Sequence, residues 1–168
     1  MTASAEMTRS LKNTCVPLLR SMGFKGSFPN FYRDDDGFVC LVNFQFNKAG
    51  MKFCINLGFA DPERRNVVRH CRELEATELR VPMTGGLIEG DNHLSGRWRV
   101  GSRALGDGLY SDSWFSFAPG HDADDRSAKE VEPDALARRC ATLIEQEAET
   151  WWDGRRAFAA SVSGSGPA

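Results

Sequence analysis

The fold is decided by residues 28–59, FPNFYRDDDGFVCLVNFQFNKAGMKFCINLGF. Three segments of this stretch are rich in the aromatic and β-branched residues that favour strands: Phe28–Arg33, Phe38–Phe46 and Met51–Phe59. Two connectors rich in turn-forming residues separate them: Asp34–Gly37 and Asn47–Gly50. The stretch therefore predicts an antiparallel β-meander.

Treating each connector as a four-residue loop predicts the register of both hairpins. The second hairpin then has four apolar pairs: Phe46 opposite Met51, Phe44 opposite Phe53, Val42 opposite Ile55, and Cys40 opposite Leu57. The first hairpin brings Phe31 beside Cys40. All of these side chains share one face, and a slip of one residue would send them to the other.

The opposite face of the meander is polar. It carries, apart from Val39 and Leu41, a run of polar and small side chains: Asn30, Tyr32, Asn43, Gln45, Lys52, Cys54 and Asn56. Core packing does not require amides at strand positions, so this face is either wet or binds something.

An amphipathic helix is predicted before the meander, from about Glu6 to Met22, because apolar residues recur there at three-to-four spacing. Pro17 removes a backbone donor, which predicts a kink or an end of the regular helix just before it. Gly23 is expected to act as the C-terminal cap.

A second helix is predicted from near Pro133 to about Phe158, with Trp151 and Trp152 at the end of its apolar side. Residues 159–168 are small and Ser/Gly-rich, which predicts a disordered tail. The expected architecture is a single α+β domain over residues 1–158, in which an antiparallel β-meander sheet carries the N-terminal and the long C-terminal helix on one face.

The middle of the chain gives weaker patterns. Asp61-Pro62 resembles the start of a short helix reaching about Leu74, and Leu79–Met83 and Trp114–Ala118 have strand character. Leu94–Val100 alternates apolar with polar residues, as a half-buried strand does. Its polar side includes Arg97 and Arg99.

Composition excludes several classes of protein. The 168 residues are 41% apolar, and 21 Lys and Arg stand against 23 Asp and Glu, for a net charge of −2. That balance argues against binding nucleic acid by bulk electrostatics. No apolar run is long enough for a membrane span, and charges interrupt the first twenty residues, so we expect a cytoplasmic protein without a secretory signal.

Catalytic and metal-binding patterns are missing from the sequence. The five cysteines contain no CxxC pair and are interpreted as reduced thiols. His121–Asp125 is an acidic loop, and Asp34–Gly37 lacks the alternation of a calcium loop. With no catalytic triad, phosphate loop or paired acids, we expect no catalytic residue, no metal and no cofactor.

The candidate site is therefore the polar sheet face. Asn43, Gln45 and Asn56 are expected to project from it. Arg97 and Arg99 join them if the predicted strand Leu94–Val100 pairs alongside the meander. Such a face suits an anion or a peptide. The alternative is that these are solvated strand positions or residues that satisfy buried backbone groups.

Several short motifs occur in the order and spacing of a widespread bacterial family: Gly23-Phe24, Asn30-Phe31-Tyr32-Arg33, Val42-Asn43-Phe44-Gln45 and Phe53-Cys54-Ile55-Asn56-Leu57-Gly58. The chain thus resembles the family called domain of unknown function 4304. The resemblance implies a small cytosolic α+β domain and brings no established activity. It also implies that Asn43, Gln45 and Asn56 are the motif positions best suited to line a site.

Two hypotheses about function follow. The first is a non-catalytic module that binds a protein or peptide partner through the polar sheet face, in the manner of an immunity or accessory protein whose negative charge steers it to a basic target. The second is an enzyme or binder of a small anionic ligand, in which Arg97 and Arg99 hold the anion while the amides orient it.

Overall fold

The computed structural model describes residues 2–48, 51–60, 66–68, 72–74, 97–106, 109–111, 113–117 and 132–163. Two helices flank the strands: α1 (Ala3–Ser21) and α2 (Pro133–Ser163). The strands are β1 (Lys25–Ser27), β2 (Asn30–Asp35), β3 (Phe38–Phe46), β4 (Lys52–Ala60), β5 (Asn66–Val68), β6 (Arg72–Leu74), β7 (Arg97–Arg99), β8 (Arg103–Gly106), β9 (Leu109–Ser111) and β10 (Phe115–Ser116). The predicted α+β class is confirmed.

The main sheet is antiparallel and built around the predicted meander. Its strand order is β1-β2-β3-β4, and both β7 and β10 pair with the remaining edge of β4, at Asn56–Gly58 and at Lys52-Phe53 respectively. The pairs β5–β6 and β8–β9 form two small separate hairpins. Strand β7, which carries Arg97 and Arg99, does pair alongside the meander, as the predicted site required.

The first hairpin turns more tightly than predicted. Asp35 pairs with Phe38, so the loop has two residues, Asp36 and Gly37, with φ of 53° and 95°. Two positive φ values are typical of a type I′ turn, whose twist matches that of the strands. Phe31 consequently lies opposite Val42, and the predicted pairing of Phe31 with Cys40 is wrong by two residues.

The second hairpin is also displaced by two residues, in this case because its loop is longer. Phe46 pairs with Phe53, and the Asn47 side chain holds the loop by accepting hydrogen bonds from the backbone N–H groups of Met51 and Lys52. The predicted pairs are replaced by four others: Phe46 with Phe53, Phe44 with Ile55, Val42 with Leu57, and Cys40 with Phe59. Because side chains alternate with period two, a shift of two leaves every residue on its predicted face.

The apolar face of the sheet and both helices form one core. The helices contribute two stripes of buried residues: Met7, Leu11, Cys15 and Leu19 from α1, and Leu136, Ala137, Cys140, Ile144, Ala148 and Trp152 from α2. These pack on the phenylalanine-rich face, where Phe44 and Phe53 are both buried. The predicted layer order is therefore confirmed, and the amide-bearing face lies away from the helices.

Helix ends follow local rules with two departures. Thr2 caps α1, and Gly23 (φ 86°) ends it, with Phe24 N–H donating to the Leu19 carbonyl 2.9 Å away. The helix continues through Pro17, so of the two alternatives predicted there the end of the regular helix is wrong; its apolar stripe is buried on both sides of that residue. Helix α2 does not end at Phe158: residues 159–163, predicted as disordered tail, remain helical, and residues 164–168 lie outside the described part.

The middle of the chain corrects one prediction. Residues 66–68 and 72–74 are paired strands, not parts of a helix, because the β-branched Val67 and Val68 favour extended backbone. The predicted strands at Leu94–Val100 and Trp114–Ala118 are confirmed in shorter form as β7 and β10. The predicted strand Leu79–Met83 and the loop His121–Asp125 lie outside the described residues.

Candidate binding site

A row of polar residues crosses the sheet at one level. Asn30 of β2 pairs with Asn43 of β3, Asn43 with Asn56 of β4, and Asn56 with Arg99 of β7. Residues paired directly across antiparallel strands point to the same face, with Cβ atoms about 5 Å apart. We call Asn30, Asn43, Gln45, Asn56 and Arg99 the amide ladder.

Direct hydrogen bonds join the members of the amide ladder. Arg99 Nε donates to Asn56 Oδ1 at 3.3 Å. Asn56 Nδ2 donates to Asn43 Oδ1 and to Gln45 Oε1, both at 3.1 Å. Asn43 Nδ2 in turn donates to Asn30 Oδ1 at 2.8 Å. The ladder is a continuous chain of hydrogen bonds with a branch at Asn56.

Arg99 fixes the direction of this chain. A guanidinium has N–H donors and no acceptor, so the atom of Asn56 facing it must be the carbonyl oxygen. The amide nitrogen of Asn56 then faces Asn43 and Gln45 and presents donors to both. Each following amide is oriented by the one before it. Arg99, which can only donate, therefore determines the orientation of every amide in the ladder.

Burial along the ladder is greatest at Asn56 and least at Asn30 and Gln45. Asn30 and Gln45 are half-buried, Asn43 is 7% exposed, Arg99 8%, and Asn56 is fully buried. Asn56 projects from the predicted face, but the alternative that it is a solvated strand position is wrong. Its polar atoms are satisfied by neighbouring side chains, including the Cys54 thiol 3.7 Å from Oδ1, which is how a buried amide is retained. Asn56 supports the site from beneath.

Arg97 and Trp114 complete the β7 end of this face. Arg97 pairs with Gly58, two residues along β7 from Arg99 and therefore on the same face. The Arg99 guanidinium carbon lies 4.9 Å from the centre of the Trp114 ring, a cation–π contact. The structure thus brings all five predicted residues together and adds Asn30 and Trp114.

The open part of the face lies at the β1–β2 end. Ser27 pairs with Asn30 and Lys25 with Tyr32, so these four residues share the side of the amide ladder. We call them the rim. Lys25, Ser27 and Tyr32 are exposed, and the two exposed large hydrophobic side chains among the described residues are Tyr32 (40%) and Trp114 (37%).

Glu147 of α2 anchors the strand that carries Arg99. Its carboxylate accepts from Trp98 Nε1 at 2.9 Å and from the backbone N–H of Gly101 at 2.9 Å. Gly101 has a φ of 83°, the left-handed conformation that favours glycine. These contacts hold the turn after β7 against the helix layer, so Glu147 positions Arg99 without touching the ladder.

Sequence reasoning missed a second polar cluster, on the helix side of the sheet. Arg33 forms a two-point ion pair with Asp35 (2.8 Å for each contact), hydrogen-bonds Glu149 of α2, and lies over the rings of Phe24 and Trp152. Arg156 also contacts Asp35. The cluster fastens the C-terminal half of α2 to the first hairpin.

The titratable groups of that cluster are shifted in opposite directions. Burial alone would raise the pKa of Asp35, but the hydrogen bonds and charges of Arg33, together with Arg156, outweigh it and lower the pKa. The hydrogen bond to Glu149 is the largest of the effects that raise the pKa of Arg33. Burial raises the pKa of Cys40 to about 12, so it is a protonated thiol at neutral pH.

The described residues form neither a metal site nor a membrane-spanning helix. Among the residues that the structure describes, no three His, Cys, Asp or Glu side chains are close enough together to hold a metal ion. No helix in the described ranges is both long and apolar enough to cross a membrane.

Comparison with known proteins agrees with the resemblance seen in the sequence. The model of a family described as Domain of unknown function (DUF4304) matches residues 15–154. That match covers most of the chain, so the chain belongs to the DUF4304 family. No curated protein and no solved structure matches it.

Proposed function

We propose that the chain is a non-catalytic module that binds a protein or peptide partner on the side of the sheet that carries the amide ladder. The observation that carries this proposal is the placement of Tyr32 and Trp114, whose rings are exposed on that side, one at each end of the ladder. Exposed aromatic side chains backed by rigid structure are typical anchors of protein interfaces.

The amide ladder gives those anchors a rigid base. Its members span four strands and are joined side chain to side chain, so the surface above them is fixed before any partner arrives. Preorganised surfaces bind with a smaller loss of conformational entropy. The ladder residues therefore act mainly as support, and the rim and Trp114 make the contact.

The small-anion alternative has less support. Arg99 is almost fully buried, with its guanidinium committed to Asn56 and to the Trp114 ring. An anion would have to displace these contacts before reaching it. A ligand that sits on Tyr32 and Trp114 leaves them intact, so the structure favours the peptide-binding hypothesis.

We also propose that the protein acts in the cytoplasm. Four of its five cysteines, Cys15, Cys40, Cys54 and Cys140, are buried free thiols. Free thiols in the core are typical of proteins kept in a reducing compartment.

Site-specific photocrosslinking in the cells that naturally make the protein tests the proposal. A photoreactive phenylalanine analogue replaces Tyr32 in one variant, Trp114 in a second and Asn13 in a third. Asn13 is exposed on α1, in the helix layer on the other face of the sheet. We expect the same adduct from positions 32 and 114 and none from position 13. Adducts shared by all three positions, or none from 32 and 114, would show that this face is not an interface.

A further inference from the structure

The hydrogen-bond chain of the amide ladder ends in side-chain NH₂ groups, at Asn30 and at Gln45. Asn30 and Gln45 each accept through the side-chain oxygen, so each carboxamide has its nitrogen on the remaining side. Within the described part of the chain, Asn30 Nδ2 and Gln45 Nε2 take part in no hydrogen bond, and both residues are half-buried. Because Arg99 sets the orientation of every amide, both branches of the ladder finish with an NH₂ group available to a partner.

The same arrangement strengthens these donors. An amide that accepts a hydrogen bond through its oxygen becomes a better donor through its nitrogen, and successive bonds in one direction polarise one another. Here the series begins at a guanidinium cation and passes through Asn56 and Asn43 before it reaches Asn30. A flipped Asn30 would put its own NH₂ against that of Asn43, so its orientation is strongly specified.

The positive charge near β1 favours a negatively charged acceptor over a neutral one. Lys25 is the basic residue on the rim side of this edge strand, and Lys12 and Arg20 of α1 lie on its helix side. Lys25 belongs to the rim, Arg20 donates to the carbonyls of Phe24 and Gly26, and the Lys12 ammonium lies 5.5 Å from the centre of the Phe28 ring. The exposed carboxylate nearest along β2 is Asp34, which already accepts from Gly37 N–H at 2.8 Å.

We infer that the rim binds an acidic peptide segment of the partner, with carboxylates accepting from Asn30 Nδ2 and Gln45 Nε2 and paired in charge with Lys25. This inference rests on the proposed function and names the partner's chemistry. Charge-assisted hydrogen bonds of amide and ammonium donors to carboxylates are shorter and stronger than neutral ones. An acidic partner departs from the basic target that the net charge of −2 suggested. Beyond a Debye length of about 8 Å that net charge is screened, so the nearby Lys25 and the NH₂ donors of Asn30 and Gln45 decide the contact.

A titration followed by NMR tests the inference. The full ¹⁵N-labelled chain is mixed with acetylated octaglutamate, with octaglutamine as the neutral peptide of similar shape and octalysine as the cationic one. We expect the side-chain NH₂ signals of Asn30 and Gln45 to move with octaglutamate only, with an affinity that falls as salt is added. Equal shifts with octaglutamine, or shifts confined to other residues, would overturn the inference.

Two variants separate recognition from folding. Asn30→Asp keeps an oxygen for Asn43 Nδ2 but replaces the outward donor by a negative charge, and Lys25→Gln removes an exposed charge. Each is expected to weaken octaglutamate binding about tenfold or more, which corresponds to about 1.4 kcal/mol, with a thermal midpoint close to that of the unmodified chain. Lys48→Gln is the control, at an exposed lysine between β3 and β4. It should bind octaglutamate as the unmodified chain does.

The outcomes for the two proposals are distinguishable. If crosslinking from Tyr32 and Trp114 succeeds while Asn30→Asp and Lys25→Gln bind octaglutamate as well as the unmodified chain does, the acidic-peptide inference is wrong and the interface proposal stands. If crosslinking also fails, both are wrong.

Discussion

The guanidinium of Arg99 donates through Nε to Oδ1 of Asn56 at 3.3 Å, across 43 positions of sequence. This one contact joins β7 to the meander through side chains as well as through the backbone. Since arginine cannot accept a hydrogen bond, it also determines how Asn56, and through it the rest of the amide ladder, is oriented.

Replacing Asn56 by Ala is expected to lower the free energy of unfolding by about 2–4 kcal/mol, because it leaves Asn43 Oδ1, Gln45 Oε1 and Arg99 Nε without this partner in a buried site. Urea denaturation measures the change. Asn13→Ala, at an exposed position of α1, is the matched control and should change stability by less than about 0.5 kcal/mol. A loss below 1 kcal/mol in Asn56→Ala would contradict a stabilising role for the ladder.

Acid stability is expected to depend on Asp35. Its pKa is lowered in the folded chain, so its ion pairs contribute stability above its unfolded pKa of about 3.8, and this contribution is lost as the pH falls through the lower folded pKa. Asp35→Asn should therefore be less stable than the unmodified chain at pH 7, and the difference should shrink below about pH 4. Urea denaturation at pH 7, 4 and 3 measures it.

The control for the acid experiment is Asp153→Asn, since Asp153 pairs with Arg156 but its side chain is 70% exposed. Exposed ion pairs contribute little, so this variant should follow the unmodified chain at every pH. A difference between Asp35→Asn and the unmodified chain that stays constant with pH would contradict the assignment.

Thiol reactivity is expected to be suppressed in the folded protein. Burial raises the pKa of Cys15 and of Cys40 to about 12 and raises that of Cys140 further, and thiolates, not thiols, react with disulfide reagents. In a Cys71→Ser variant, Ellman's reagent at pH 8 should find no fast-reacting thiol in the native chain and four after denaturation. A rapidly reacting native thiol would show that one of these buried sites opens readily.

Two glycine substitutions should shift stability in opposite directions. Gly101 has a φ of 83°, and an added Cβ would lie 3.1 Å from Ser113 Oγ, so Gly101→Ala should destabilise the fold by about 1–2 kcal/mol. Gly154 lies in α2, and apart from its chain neighbours and its own helix backbone no atom lies within 4 Å of an added Cβ, so Gly154→Ala should stabilise the fold by about 0.5–1 kcal/mol. Thermal unfolding measures both, and a stabilised Gly101→Ala would contradict the described turn.

The candidate site was only partly predictable, because the register of the strands that carry it could not be predicted correctly. Four-residue loops place Asn43 opposite Cys54, whereas the actual register places it opposite Asn56 and also aligns it with Asn30. The Asp36-Gly37 pair is a known signal for a two-residue type I′ turn and could have corrected the first hairpin. Nothing local signals the longer second loop, which the Asn47 side chain stabilises.

The Arg33 cluster could not be predicted in the same way. Arg33 and Glu149 are 116 positions apart, and no periodicity within either strand or helix relates them. Their contact exists because α2 crosses the first hairpin, a packing arrangement fixed by the whole core.

Alternation of apolar and polar residues along residues 28–59 was enough to determine the sheet, its two faces and the side on which both helices lie, because a period of two or 3.6 residues is a local property of the chain. It could not determine which amides would meet or how deeply they would be buried. Tertiary structure decided those points when loop geometry set the strand register and β7 brought Arg99 to Asn56. Hydrogen bonds between side chains need alignment to within a fraction of an ångström, which a sequence pattern does not specify.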